Sequence, residues 1–209
     1  MRLVLASNNR KKLGELQALL APARVELIAQ GALDIEEAEE PFHTFVENAL
    51  AKARHAAMQS GGAAIADDSG LCVDALGGEP GVNSAHFAAV VSWGGEREAQ
   101  RALQDAANNA LLLERLQGAE DRRARFVTTL VAVRSAEDPE PLVAVGRWFG
   151  EILHRSAGSG GFGYDPLMYV PVLGCAVAEM TVATKNAHSH RAIAAAQMLV
   201  LMREAWRLG

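Results

Sequence analysis

RLVLASNNRKKLGELQALL, Arg2 to Leu20, carries the first decision about the fold. Leu3-Val4-Leu5-Ala6 is a short apolar run of the kind that forms a buried strand. Ser7, Asn8 and Asn9 follow, three side chains able to cap a helix. Leu13, Leu16, Leu19 and Leu20 then recur at helical spacing. A buried strand that turns through polar residues straight into an amphipathic helix opens an α/β fold.

The pattern continues outward. Val25 to Ala29 predicts a second strand, and the acidic loop DIEEAEEP ends at Pro41. Thr44-Phe45-Val46-Glu47 is a capping box. It predicts a helix to about Met58 with Phe45, Ala49, Ala53 and Ala56 on one face. Ala63 to Ala66 is the next strand, and the Gly-rich turn region GGEPGVNSA lies further on. A long helix is expected over Glu96–Leu116. Arg125–Arg134 and Leu142–Ile152 read as two strands around Asp138-Pro139-Glu140-Pro141, and a helix from about Ser189 to Leu208 closes the chain. Strands and helices alternate early while two long strands adjoin later, so the sheet is expected to be mixed. In open α/β sheets ligands lie at the carboxyl ends of strands. Ser7-Asn8-Asn9 and Asp67-Asp68 both fall at such ends.

With 209 residues and 50% hydrophobic composition, the chain can build one substantial core, in one domain or two closely packed lobes. A net charge of -5 argues against a broad grip on DNA or RNA, though a small polyanion can still bind at a local positive site. Cys72 and Cys175 are the only cysteines, which implies neither a disulfide framework nor a zinc site and fits a reduced cytoplasmic protein. The N-terminal apolar run is too short for a signal peptide, and no stretch approaches the roughly 20 apolar residues of a membrane span.

Ala64-Ile65-Ala66 runs directly into Asp67 and Asp68, then Ser69 and Gly70. Either the strand ends there at a solvated turn, or the carboxylates serve a site. Adjacent residues on extended backbone point to opposite sides, so the two aspartates are expected to do different jobs. Magnesium takes oxygen ligands, commonly one or two carboxylates plus phosphate oxygens. The acidic loop offers further carboxylates in Glu39 and Glu40. Arg10, Lys11 and Lys12 stand at a helix start, where cations are unfavourable. Either Lys11 or Lys12 pairs locally with Glu15, or the cations face a phosphate held at the helix N-terminus. Lys185, His188, His190 and Arg191 repeat the oddity before the last helix.

Gly158-Ser159-Gly160-Gly161-Phe162-Gly163 formally matches G-x-G-x-x-G, but Tyr164-Asp165-Pro166 follows at once and Pro171 soon after. No long helix fits there, so a dinucleotide-binding fold is rejected. The loop can still approach a ligand closely through its glycines, with Phe162 and Tyr164 offering an aromatic face to a base.

SNNRKK with Glu15, TFVENALAKA, ADDSGL, GGEPGVNSA, GGFGYDP and KNAHSHRA occur in this order from about Leu3 to Trp206. The ordered set resembles the inosine triphosphate pyrophosphatase family. The resemblance implies an α/β fold with a long mixed sheet flanked by helices, and two lobes with a central substrate cleft, over residues 1–209 as one nucleoside triphosphate pyrophosphatase domain. It implies a homodimer that uses Mg²⁺ to cleave dITP, ITP and XTP between the α- and β-phosphates, giving monophosphate and pyrophosphate. Matched by motif, Ser7, Asn8, Asn9, Arg10, Lys11 and Lys12 would form the phosphate loop, with Lys52 a further phosphate candidate. Glu40 would help bind the metal, Asp68 would hold Mg²⁺ or act as the proton acceptor for the attacking water, and Ser69 would lie against substrate. Phe162, Gly163, Tyr164 and Asp165 would line the base pocket, completed by Lys185, His190 and Arg191.

The logic of base choice stands apart from the resemblance. Hypoxanthine and xanthine carry a 6-oxo acceptor where adenine has an amino donor, and an arginine has donors only. Arg191 facing that position favours oxygen and rejects adenine. Asn83, His86 and His188 depart from the family pattern and bear on pocket shape and substrate ranking. Two rivals keep the phosphate site: a pyrophosphatase for pyrimidine triphosphates, and a purine nucleotide sensor without turnover.

Overall fold

The computed structural model describes residues 1–90 and 97–208. Seven strands form one sheet in the order β2-β1-β3-β4-β5-β6-β7. They are β1 (Arg2–Leu5), β2 (Glu26–Ala29), β3 (Ala64–Val73), β4 (Arg123–Val133), β5 (Leu142–Ile152), β6 (Met168–Val170) and β7 (Cys175–Ala176). The helices are α1 (Arg10–Leu20), α2 (Phe45–Ser60), α3 (Arg97–Arg115), α4 (Val182–His188) and α5 (His190–Ala205). β1 pairs in parallel with β2 and β3, whereas β6 is antiparallel to β5 and β7, so the sheet is mixed as expected. Glu96, the expected start of the third helix, lies outside the described residues.

The chain divides into two compact units. Unit 1 comprises Met1–Ser69, Thr128–Arg147 and Asn186–Gly209; unit 2 comprises Gly70–Val127 and Trp148–Lys185. Unit 1 has a core on each face of its strands. Leu3, Leu5, Ile65, Leu130 and Ala132 pack with Leu16 and Leu20 of α1 and Met198 and Met202 of α5. Val4, Ala6, Ala64, Ala66, Val131 and Val133 pack on the alanine face of α2, Ala49, Ala53, Ala56 and Ala57. The period-two alternation of a strand decides which residue meets which helix. Unit 2 has its own core, in which Leu112 of α3 and Leu116 just beyond its end pack with Leu71, Val73, Phe126, Trp148, Tyr164 and Met168.

Local chemistry explains the helix starts. Asn9 caps α1 by accepting from the N–H groups of Lys11 and Lys12 at 3.0 and 3.2 Å. Thr44 Oγ1 accepts from the Glu47 N–H at 3.3 Å, and the Thr44 hydroxyl donates to the Glu47 carboxylate, a variant of the expected capping box. Ser189 caps α5, accepting from the Ala192 N–H at 3.2 Å.

Two expectations change. β3 does not end at Ala66 but runs on through Asp67, Asp68, Ser69 and Gly70 to Val73. The carboxylates have buried cationic partners, so the strand has no need to break into solvent. The basic cluster near the last helix is split, with Lys185 and His188 on the short helix α4 and His190 and Arg191 on α5. The Gly158–Gly163 loop leads through turns to the strand β6 and opens no helix, which agrees with rejection of the dinucleotide motif.

Candidate active site

In unit 1, strand alternation gives Asp67 the same face as Ile65 and Asp68 the same face as Ala66. Asp67 therefore meets α1 and α5, and Asp68 meets α2. Asp67 Oδ2 accepts from Arg191 Nε at 2.8 Å and lies 3.4 Å from Lys12 Nζ. Its Oδ1 accepts from the Ser69 hydroxyl. Ser69 in turn accepts from Arg191 Nη2 at 3.3 Å and shares a 2.9 Å bond with the buried Thr128 hydroxyl. Arg191 Nη1 donates to Glu15 at 3.0 Å. Burial alone would raise the Asp67 pKa, but Lys12, Arg191 and the Ser69 hydrogen bond outweigh it and hold the carboxyl well below its ordinary range. Lys12 is shifted down by its own burial, with Asp67 opposing.

Asp68 stands in a different field. Its Oδ1 accepts from Lys52 Nζ at 2.9 Å, and Lys52 Nζ also donates to Glu40 Oε2 at 2.7 Å. Asp68 Oδ2 is buried without a hydrogen-bond partner. Burial pushes the Asp68 carboxyl up to about 6; Lys52 works against this and Glu40 adds to it. Burial would lower the Lys52 pKa, but the two carboxylates raise it overall. The arrangement suits a hard cation. Two carboxylates converge on one region, and one of them has an unsatisfied oxygen that a metal would satisfy. Among the described residues no group of three or more His, Cys, Asp or Glu is arranged to hold a metal. Water and ligand oxygens would therefore complete the shell, as is usual for Mg²⁺.

The phosphate-loop candidates occupy the turn after β1 and the start of α1. Asn8 Oδ1 accepts from the Gly31 N–H at 2.9 Å and its Nδ2 donates to Glu37 at 2.9 Å, tying this turn to the acidic loop. Ser7 Oγ accepts from the Asn9 N–H at 3.2 Å. Arg10 and Lys11 are exposed and Lys12 is half-buried. His190 and Arg191 are buried at the start of α5. Gly146 of β5 makes this possible, since a Cβ there would lie 1.9 Å from the His190 carbonyl oxygen.

Unit 2 holds the remaining candidates. Asp165 Oδ2 accepts from the Phe162 N–H at 3.0 Å and from Lys185 Nζ at 2.8 Å. The same ammonium lies 4.5 Å from the centroid of the Phe162 ring, a cation–π contact. Gly163 adopts φ +61°, and its N–H donates to Asp105 at 2.8 Å. Tyr164 is buried in the core and its hydroxyl donates to the Ser84 carbonyl at 2.9 Å, so its ring supports the loop from beneath. Asn83, His86 and His188 are exposed.

Glu15 is marked in the sequence by its motif and as a local partner for Lys11 or Lys12, whereas no motif there marks Thr128, Asp105 or Asn109. A hydroxyl inside a β-branched strand leaves no outward signal. The pair Asp105 and Asn109, four apart on a helix, is the one pattern that pointed to a shared target.

The sequence profile of the Ham1 family matches residues 3–201. A curated protein of Methylibium petroleiphilum named dITP/XTP pyrophosphatase is 68% identical over 206 residues, covering 99% of each chain. One of the same name from Leptothrix cholodnii is 67% identical over 211 residues, covering 100% of each. The solved structure of a HAM1 protein from Coxiella burnetii is 40% identical, covers 98% of this chain and 100% of its own, and superposes with a TM-score of 0.86. A profile match over nearly the whole chain, with relatives of this identity along their full length, makes this chain a member of the Ham1 family.

Proposed function

We propose that this chain hydrolyses the deaminated purine triphosphates dITP, ITP and XTP between the α- and β-phosphates, releasing monophosphate and pyrophosphate. The observation that carries the reading is the Glu40–Lys52–Asp68 cluster with its unsatisfied Asp68 oxygen, set beside the cationic turn that opens α1. The names of the full-length relatives support the substrate class.

Glu40 and Asp68 would hold Mg²⁺, which neutralises phosphate charge and polarises a phosphoryl oxygen when bound. Lys12 faces the phosphates, and Arg10 and Lys11 add attraction from solvent. Water attacks the α-phosphorus, the bond to the bridging oxygen breaks with its electron pair leaving on pyrophosphate, and the water proton passes to Asp68. Burial and the nearby Glu40 raise the Asp68 carboxyl above the ordinary carboxylate range, which favours it as an acceptor. Lys52 holds Asp68 in place. Phe162 stacks on the base and Lys185 donates to its 6-oxo oxygen. Arg191, engaged with Asp67, Glu15 and Ser69, anchors the ion-pair network beneath Lys12 instead of reading the base. The resemblance also implies a homodimer, which sedimentation velocity tests. No helix among the described residues is long and apolar enough to cross a membrane.

The test is chromatographic product analysis with Mg²⁺ and dITP, XTP, ATP, GTP or dUTP, with Asp68→Asn as control. Monophosphate and pyrophosphate from dITP and XTP, with ATP nearly untouched, is expected. Diphosphate and phosphate would place the scissile bond elsewhere. Turnover of dUTP alone would favour the pyrimidine rival, and binding without turnover would favour a sensor.

A further inference from the structure

α3 presents four polar side chains, Gln104, Asp105, Asn108 and Asn109, to the backbone of two loops of unit 2. Asn108 Nδ2 donates to the carbonyls of Ser84 and Ala85 at 3.2 Å each, and its Oδ1 accepts from the Ala88 N–H at 2.9 Å. Gln104 Nε2 donates to the Ala88 carbonyl at 2.8 Å. One turn of helix pairs Asp105 with Asn109, and both reach a single residue of the other loop. Asp105 Oδ2 accepts from the Gly163 N–H at 2.8 Å, and Asn109 Nδ2 donates to the Gly163 carbonyl at 2.9 Å.

Gly163 is thus gripped at both of its backbone polar groups, and it sits directly after Phe162. On the other side, Phe162 is held through its own N–H and carbonyl, which bond the Asp165 carboxylate and the Asp165 N–H. A short loop fixed at four consecutive backbone groups leaves the Phe162 ring little freedom. The ring lies under Lys185, whose ammonium is bound to the same Asp165 oxygen. Neither Asp105 nor Asn109 touches Phe162 or Lys185 in these bonds. Their influence runs through the Gly163 peptide.

We infer that Asp105 and Asn109 are positioning residues for base recognition, clamping the Gly163 peptide so that the Phe162 ring is set for stacking before substrate arrives. The inference rests on the reading of Phe162 as part of the base pocket. Preorganised aromatic surface costs less ordering on binding. Loss of the clamp should therefore appear in KM and in base preference more than in kcat.

The test is a double-mutant cycle in steady-state kinetics with dITP and ATP, using Phe162→Ala, Asp105→Ala, Asn109→Ala and the two doubles with Phe162→Ala. Asp105→Ala and Asn109→Ala are each expected to raise KM for dITP about fivefold to tenfold with kcat changed less than twofold, and to narrow the preference for dITP over ATP. Asp105→Asn, whose side-chain oxygen still accepts from Gly163, is expected to restore most of the KM. In the Phe162→Ala background the effect of either clamp mutation is expected to vanish. If Phe162→Ala changes KM and the clamp mutations do not, or if their effect persists undiminished without Phe162, the inference is overturned. If Phe162→Ala itself leaves KM and preference unaltered, the base-pocket reading fails first. Should Asp105→Ala fail to fold, Asn109→Ala and Asp105→Asn carry the same comparison.

Discussion

Asp67 and Asp68 are neighbours in β3, and their carboxylates meet different cations: Arg191 Nε at 2.8 Å and Lys52 Nζ at 2.9 Å. The separation follows from the pleat alone. It places one carboxylate in a closed set of ion pairs between α1 and α5. The other lies beside Glu40 with an oxygen to spare.

Asp68→Asn keeps the size of the side chain and one acceptor for Lys52, so the fold is expected to persist. Turnover of dITP should fall by about 100-fold or more, the range of a lost proton acceptor. Circular dichroism and product release together check this. Wild-type turnover in a folded variant would remove Asp68 from the reaction.

Asp67→Asn is expected to act on stability first. It leaves the half-buried Lys12 and the buried Arg191, which keeps Glu15, without their shared counter-charge, a loss of about 3 kcal/mol in urea unfolding. The pH dependence follows with its sign. The folded carboxyl titrates below its unfolded value, so its contribution is present above the unfolded pKa, near 3.8, and is lost as pH falls through the folded pKa. The wild-type acid limb should therefore be steeper than that of Asp67→Asn. Equal limbs would contradict the pairing.

The Asp68 carboxyl shifts in the opposite direction, up to about 6. Its protonated form favours the folded state, and that contribution fades as pH rises through about 6. Binding of Mg²⁺ to the wild type at pH 5.5 is expected to release protons, and affinity should rise with pH through this region. Isothermal titration in two buffers of different ionisation enthalpy measures the proton count. An Asp68→Asn protein that releases as many protons as wild type would exclude Asp68 as the group involved.

Gly146→Ala places a methyl 1.9 Å from the His190 carbonyl oxygen, a backbone atom that cannot rotate away. The first turn of α5 must move and Arg191 with it. Thermal unfolding should show a loss of about 1–3 kcal/mol, with a fall in turnover larger than that of an alanine substitution on the exposed face of α5. A variant with unchanged Tm and kcat would show that the first turn of α5 shifts without consequence.

The architecture was legible where periodicity is long. The helices from Thr44 and Ser189 and the strand Leu142–Ile152 stand where spacing and caps place them. β6 and β7 span three and two residues, too short for any alternation to register. Local propensity ends β3 at Ala66, seven residues before the strand itself ends at Val73. Asp, Ser and Gly in succession favour a turn by local propensity, and only the distant Lys12, Lys52 and Arg191 make continued extension tolerable. Arg191 was marked as a candidate by its motif, but its side-chain bonds to Glu15, Asp67 and Ser69 were not legible, because these reach it from two other elements. The support of Phe162 from α3 was hidden in the same way, since it acts on the backbone of a glycine.

The extension of β3 through both aspartates also makes their identities a matter of parity. Removing or adding one residue between Ala64 and Asp67 would turn every later side chain to the opposite face of the sheet. The carboxylate made for Arg191 would then confront Lys52, and the one made for Lys52 would be enclosed among α1 and α5. Substitutions nearby alter strength; a change of length by one exchanges the two carboxylates. Sequences related to this one should therefore tolerate variation in what occupies positions 64–66 far better than variation in how many residues lie there.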